Sequence, residues 1–541
     1  MTRRAVLAAV VVALVAPGSV RAGEFAVGVA NGASLARVRA AIAPARVIIP
    51  GRALVVHRAT ARGLAALPGV GFVERLDRTR RLAFDPTDPL APRQWYLAQD
   101  RAYDFWVVRP KLATVRVAVI DSGIDGKHPE FLGRVVAWKS FVGGTALEDV
   151  QGHGTFIAGE IAAATDNDVG IAGLAFSAQL VVAKVVRPDG TVPLLAEVQA
   201  IRWAVDQGAR VVNLSLGGVR DPLNEKLDTY SPLEQAAVEY AYSKGAVVVA
   251  AVGNGPQSPA TPWSYAHYPA ALPHVLGVSA YLENGSVPAF SNRDAIYNDI
   301  SAPGRAIFST LPFAVTAERP SCANQGYSDC GPREFRLARG TSFAAPQVAA
   351  AAALLLGENP ALRPEQVTTL LERSALDATA DNGCAACPAH RDAYTGWGKL
   401  DVTAALEAAS GTLPQPDGYE SNDDAGPWAH PLYGSTRTID ATLDYWDDQV
   451  DVYKIRLDAG QRLFARLRGP ALVEARLVLW KPGTTGVEGL RVPLAFRAAQ
   501  STRVDAQQRL TYRAPLSGFY FLELKASHPG AGAYRLSYAK S

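Results

Sequence analysis

Three short stretches hold residue types able to carry out acyl transfer. Gly340-Thr341-Ser342-Phe343-Ala344-Ala345-Pro346 places a hydroxyl on a turn of small residues that runs into the apolar stretch 348–356, which reads as a buried helix. Gly340 permits the sharp bend, and Ser342 at a helix start meets unpaired N–H groups that favour a developing negative charge. Gly152-His153-Gly154-Thr155 clears space around an imidazole that opens the small-residue helix 156–164. Imidazole is the side chain that exchanges protons near neutral pH. Asp121-Ser122-Gly123 follows the apolar-rich run 115–120, so its carboxylate stands at the carboxyl end of a buried strand. Each stretch alone has a structural explanation, since serine is a common helix N-cap and a histidine or aspartate in a glycine turn is usually structural. Together they supply a nucleophile, a base and a carboxylate to orient the base.

These groups need a scaffold that brings them to one place. The runs 115–120, 181–186, 211–216, 247–252 and 275–278 are apolar and alternate with helical stretches. Alternation of this kind predicts an α/β fold, a parallel sheet with helices on both faces, whose ligand site lies beyond the carboxyl ends of the strands. Asp121, the segment Ser215-Leu216-Gly217, and Gly253-Asn254 all fall at such ends.

The order Asp, His, Ser and the three boxes around them resemble the subtilisin family of serine peptidases. The resemblance spans residues 94–405 and continues in Val211-Val212-Asn213-Leu214-Ser215-Leu216-Gly217, Ala250-Ala251-Val252-Gly253-Asn254, Tyr268-Pro269-Ala270 and Ser301-Ala302-Pro303-Gly304. Two positions depart from the family pattern, Phe343 where many members carry Met and Gln347 where His is usual; neither is one of the three relay residues. The resemblance implies that Asp121, His153 and Ser342 form a triad, with an Asn254 amide donor beside the Ser342 N–H for the oxyanion. It implies that Ser215, Leu216 and Gly217, with Gly253 nearby, pair with an extended peptide substrate. An α/β-hydrolase would want a GxSxG box and the order Ser, Asp, His, and neither is present.

Two further assignments rest on the same resemblance. His267, directly before Tyr268-Pro269, takes a position that lines the base of the pocket for the side chain preceding the cut bond. An inward imidazole would shorten that pocket against large aromatics, and protonation below about pH 6.5 would admit Glu or Asp; the alternative is that His267 turns away. Thr165-Asp166-Asn167-Asp168-Val169-Gly170-Ile171 is similar to the family's calcium loop, with Glu130 as its carboxylate. Carbonyls of Thr165, Val169 and Ile171 with the Asn167 side chain would give oxygen ligands for a structural calcium ion, although an Asn-rich turn needs no ion. No cofactor is expected for catalysis.

The remaining organisation is legible from composition. The chain has 541 residues, is 48% apolar, and carries a formal charge of +3 with no run of 18 apolar residues. Neither nucleic acid nor a membrane span is expected. Thr2-Arg3-Arg4, the apolar run 5–16 and Val20-Arg21-Ala22 predict a secretory signal over 1–22 and an extracellular protein, with periplasmic passage as a variant. Residues 23–85 hold ten arginines against four carboxylates, a formal +6, whereas 86–541 hold 41 basic and 47 acidic residues, or −6. Opposite charge suits docking of one on the other, and the segment is similar to the family's inhibitory prosegments, small α/β units. This implies an intramolecular inhibitor cut off between Arg81 and Gln94, ahead of a peptidase domain over 86–411. Beyond a turn-rich boundary, short strand-like runs predict a C-terminal β-sandwich over 412–541, resembling the pre-peptidase C-terminal domain of secreted peptidases. Asp440, Asp444, Asp447 and Asp448 there are either a calcium site or a solvated acidic face. Of four cysteines, Cys322 with Cys330 and Cys384 with Cys387 would pair locally in an exported protein, or share a zinc site with His390.

Overall fold

The computed structural model describes residues 23–30, 32–58, 63–76, 84–318, 328–329, 335–411, 417–419, 422–445, 449–469, 475–487, 494–501, 507–526 and 530–541. The expected signal over 1–22, and the residues Cys322, Cys330, Asp447 and Asp448, lie outside these. The chain divides into two compact units after Leu82. The expected boundary at 85 falls three residues later, because Phe84 packs edge-on to Tyr103 and Phe176 in the core of the second unit.

The first unit runs β1 (Gly23–Val29), α1 (Leu35–Ala41), β2 (Ala45–Ile49), β3 (Ala53–Arg58) and β4 (Val70–Arg75), in an antiparallel sheet ordered β2-β3-β1-β4. Alternate residues of β1 and β3, Phe25 with Val27 and Leu54 with Val56, point to one face and meet Val38 and Ile42 from the helix side.

The second unit enters through α2 (Trp95–Gln99), then β5 (Arg116–Asp121), β6 (Val135–Ser140), α3 (His153–Ala162), β7 (Gln179–Lys184), α4 (Leu194–Asp206), β8 (Val211–Leu214), α5 (Pro232–Ser243), β9 (Val247–Ala251), β10 (Val275–Tyr281) and β11 (Ile300–Pro303). The seven strands form one parallel sheet ordered β11-β10-β9-β8-β5-β7-β6. Its two faces read directly from the strand period of two. Val117 and Val119 of β5, Leu180 and Val182 of β7, and Val247 and Val249 of β9 join one core, while Ala118, Ile120, Val181, Ala183, Val248 and Ala250 join the other. Runs apolar at every position are what burial on both faces demands.

An antiparallel trio, β12 (Arg305–Thr310), β13 (Ser328–Asp329) and β14 (Phe335–Arg339), brackets α6 (Phe313–Glu318) and delivers the chain to Gly340. From there α7 (Ala345–Glu358) is buried on every side from Ala345 to Gly357, as a helix alanine-rich and apolar but for Gln347 over that span must be. Helices α8 (Pro364–Ser374) and α9 (Val402–Ala409) close that face. Cys384 and Cys387 are joined as a local pair, their Cα atoms 5.4 Å apart. Among the described residues no helix is long and apolar enough to cross a membrane.

The chain then becomes all β: β15 (His430–Leu432), β16 (Thr436–Asp444), β17 (Val450–Leu457), β18 (Arg462–Arg468), β19 (Ala475–Trp480), β20 (Arg497–Gln500), β21 (Gln507–Arg513), β22 (Gly518–Ala526) and β23 (Ala531–Lys540). Two sheets, β15-β17-β22-β19-β20 and β16-β23-β18-β21, enclose a core of inward leucines and tyrosines that takes nothing from the parallel-sheet region. The side-chain hydrogen bonds that join the two regions are made largely by charged groups. His274 donates to Glu239 at 2.9 Å and to Asp423 on the sandwich side, its ring stacked 3.8 Å from Tyr242. Burial alone would lower the His274 pKa, but the Asp423 and Glu239 carboxylates together hold it well above the ordinary histidine value. Arg373 reaches both oxygens of Asp444 at 2.8 and 2.6 Å, and Trp397 meets Tyr445 edge-on. Asp440 is matched by Arg535 at 2.6 and 3.0 Å. The calcium alternative for Asp440 and Asp444 therefore gives way to ion pairing, since each carboxylate already has a guanidinium.

Candidate active site

Asp121 is the last residue of β5, and its side chain is buried. Its Oδ1 accepts from the Ser122 N–H at 2.7 Å, and both carboxylate oxygens lie 2.9 Å from His153 Nδ1. With Nδ1–H given to the carboxylate, Nε2 keeps its lone pair. The glycines around His153 are required by close approach. A Cβ on Gly154 would stand 2.2 Å from the Gly123 carbonyl oxygen, and Gly152 holds φ +89°, which few side chains tolerate. A second carboxylate fastens this turn: Asp149 accepts from Ser122 Oγ at 2.8 Å, Gly152 N at 2.8 Å and Thr155 N at 2.9 Å. Burial depresses the His153 pKa, but the charge and hydrogen bond of Asp121, with Asp149 behind it, outweigh burial and raise it above the ordinary value.

Ser342 is the middle residue of a single 3-10 turn, Thr341–Phe343, one turn ahead of α7 rather than on it. Both neighbours are held. Thr341 donates through N and Oγ1 to Asn254 Oδ1 at 3.0 and 3.3 Å, and the Phe343 ring lies 5.4 Å from that of His153 and 4.7 Å from that of Phe156. The Ser342 carbonyl accepts from Ser215 Oγ at 2.8 Å, so that hydroxyl supports the nucleophile turn and is not offered to a ligand. With its oxygen pinned by Thr341, the Asn254 amide must aim its nitrogen the other way, where one N–H meets Gln257 Oε1 at 3.3 Å.

Beyond β8 the chain leaves the sheet. Gly218 and Tyr268 exchange main-chain hydrogen bonds of 2.9 Å in both directions, and a Cβ on Gly217 would meet the Tyr268 carbonyl at 2.3 Å. One edge of Leu216-Gly217-Gly218 is thus occupied. His267 is buried between this segment and Gly253: its ring atoms stand 2.6 Å from where a Gly253 Cβ would be, and Nε2 meets Ser258 Oγ at 2.8 Å. Burial pushes its pKa down to about 4, which corrects the expectation of a charged pocket below pH 6.5.

Glu130 lies in a 3-10 turn, Pro129–Phe131, and is buried. Its Oε1 accepts from Ile171 N at 2.9 Å, while Oε2 is buried without a hydrogen-bond partner, and burial pushes its pKa up to about 8. Asn167 turns its Oδ1 onto Val169 N at 2.9 Å. Thr165 departs from the expected ligand set. Its carbonyl accepts from Arg109 at 2.8 Å and its hydroxyl is shared with Ala163 and Gly173, so a guanidinium stands where a cation was expected. Asp88, unforeseen from sequence, accepts from Asp166 N at 2.6 Å and adds its charge to that of Glu130. The Asp88-Pro89 step was the only signal for it. Among the described residues no three His, Cys, Asp or Glu side chains gather as a metal site, so any ion here would rely on carbonyl oxygens beside these two carboxylates.

Residues 113–398 match the subtilase family. Thermitase of Thermoactinomyces vulgaris is 32% identical over 301 residues, which is 55% of this chain and 92% of thermitase. Subtilisin DY of Bacillus licheniformis is 34% identical over 298 residues, again 55% of this chain and 92% of the relative.

Proposed function

The chain belongs to the subtilase family and is a serine endopeptidase, and from that premise we propose that Asp121, His153 and Ser342 are its triad. The observation that carries the reading is the His153 imidazole held by both Asp121 oxygens, with its ring against the residue that follows Ser342. The free edge of Leu216-Gly217 takes an extended peptide by main-chain pairing. Ser342 Oγ attacks the scissile carbonyl as His153 Nε2 removes its proton, and Asp121 stabilises the imidazolium. The Ser342 N–H and the Asn254 amide receive the oxyanion; His153 then protonates the departing amine, and water repeats the sequence on the acyl-enzyme. A fluorophosphonate probe is expected to label Ser342 alone in peptide maps, and labelling of another residue overturns the assignment. Asn254→Ala is expected to lower kcat about 10²- to 10³-fold with KM little changed, the loss typical of one oxyanion donor. An unchanged kcat would remove Asn254 from the site.

The same proposal makes the protein a secreted precursor, exported by residues 1–22, inhibited by the basic unit 23–85 and self-processed between Arg81 and Gln94. Residues 412–541 accompany the peptidase as a separate module. Charge complementarity and the family resemblance support this reading.

We also propose structural calcium held by Glu130, Asp88, Asn167 and the carbonyls of Val169 and Ile171. The buried, partnerless Glu130 Oε2 supports it, because a buried carboxylate oxygen is expected to find a donor or a cation. An ion at 100 times its dissociation constant adds about 2.7 kcal/mol to folding, so a chelator should lower Tm, and Asp88→Asn should abolish most of that response. A Tm indifferent to chelator retires the site.

His267 is proposed to shorten the specificity pocket. His267→Gly is expected to raise preference for Phe and Tyr before the cut bond by about 1 to 3 kcal/mol in kcat/KM. With the imidazole neutral down to about pH 4, the wild-type profile should be the same at pH 8 and pH 5.5. A peptide library read at both values checks each point.

A further inference from the structure

Helices α3 and α7 bring the base and the nucleophile turn together, and they meet at two side chains that the triad does not use. Glu160 lies two turns after His153 on α3 and Gln347 just over one turn after Ser342 on α7, and both are fully buried. Gln347 Nε2 stands 2.6 Å from the Phe343 carbonyl oxygen, 2.8 Å from that of Pro303 and 3.3 Å from Glu160 Oε2. A primary amide has only two N–H bonds. The two shorter contacts take both, and the Glu160 contact is left with no amide proton. Glu160 Oε1 and Gln347 Oε1 are also buried without a hydrogen-bond partner. One proton on Glu160 eases the deficit, since it adds a donor to a pair that has too few. The titratable neighbours favour that form. From the α2 side Glu160 faces the Tyr96 hydroxyl and the Asp100 carboxylate, and from α7 it meets the uncharged Gln347. Burial pushes its carboxyl well above the usual range; the nearby Gln347 amide acts the other way, and the Asp100 charge adds a smaller upward push.

We propose that Glu160 is held as the neutral acid and, through Gln347, acts as a positioning residue that fixes the Ser342 turn against the His153 helix. One end of this strut is built into α3. Its other end grips the Phe343 carbonyl, in the residue that both follows the nucleophile and packs on the His153 ring. Position 347, one of the two departures from the family pattern, thereby belongs to the support of the relay. The inference rests on the triad assignment, because it concerns the distance between two members of that triad.

The test uses the full-length protein and compares Glu160→Gln, Gln347→Met and Ser342→Ala by kcat and KM on a fluorogenic peptide between pH 6 and 10, with circular dichroism as the control for folding. A carboxamide at 160 supplies the same donor as the acid, so Glu160→Gln should keep kcat within about twofold and leave the pH profile in place. Gln347→Met should lower kcat about tenfold at unchanged KM, since small misplacements of reacting groups cost rate and not binding. A variant combining Glu160→Gln with Gln347→Met should be no slower than Gln347→Met alone, as two members of one strut are not additive. Wild-type kcat in Gln347→Met overturns the strut. So does a Glu160→Gln enzyme with reduced kcat or a displaced pH profile, which would show that the ionised carboxylate is needed; this arm decides even where Gln347→Met does not fold. Activity surviving in Ser342→Ala would instead overturn the triad reading on which the strut depends.

Discussion

Ser342→Ala is expected to yield a folded protein that stays at precursor length and hydrolyses peptides on the order of 10⁶-fold more slowly than the wild type. The magnitude is that of the same deletion in subtilisin, a member of this family, and is carried over on that ground. Folding should survive because the Ser342 side chain is not among the groups that hold its turn. Thr341 hangs from Asn254, the Ser342 main-chain carbonyl is held by Ser215, and Phe343 packs on Phe156. The loss should therefore be chemical. Precursor length is the more demanding readout, since it joins the triad to self-processing in one gel lane. A purified Ser342→Ala chain that matures with no other protease present would sink the triad assignment, and one that is inactive yet shortened by itself would sink the processing reading.

Asp121→Asn should cost about 10⁴ in kcat while leaving the backbone in place. The reason is the tautomer. A carboxylate at 2.9 Å accepts Nδ1–H and keeps Nε2 unprotonated, with a lone pair to take a proton, whereas an amide turned to donate forces the proton onto Nε2, where it blocks the base. The residual activity should differ in pH dependence as well as size. In the wild type the neighbouring carboxylates overcome burial and raise the His153 pKa. The base works only when neutral, so the acid limb of kcat/KM is expected above the ordinary histidine value of about 6.5. With the Asp121 charge gone, burial dominates and that limb should move to lower pH. A pH series on both proteins checks the sign, and a limb that stays in place would show that Asp121 does not set it.

The parallel sheet and the residues proposed as the triad were both legible in the sequence, for related reasons. Strands buried on two faces must be largely apolar, and β5, β8 and β9 stand out as apolar-rich runs interrupted only by Arg116 and Asn213, each ending at or just before a polar residue of the site. The sheet's edges were not legible. β6 offers only the short run Val135-Val136-Ala137-Trp138, along which exposed and half-buried positions alternate, and β11 is four residues ending in a proline. Side chains that matter through contact were harder still. Asp88 and Asp166 are joined by a hydrogen bond across 78 positions, a relation no local spacing encodes. Thr165 looked like a ligand because a loop pattern does not reveal that Arg109 approaches from another part of the chain. Glu160 did leave a trace, one acidic residue in a helix whose other residues after His153 are small or apolar, but its partner lies 187 positions away.

The polar seam at His274 and Arg373 bears on how such a chain is assembled over generations. Each side of it keeps its apolar surface to itself, as two machines bolted together would keep separate housings. Loss or exchange of the sandwich would strand one histidine and one arginine at the surface, groups that water accepts readily, with one tryptophan beside them. Recombination can therefore swap the appendage for another without first repairing the enzyme it leaves behind.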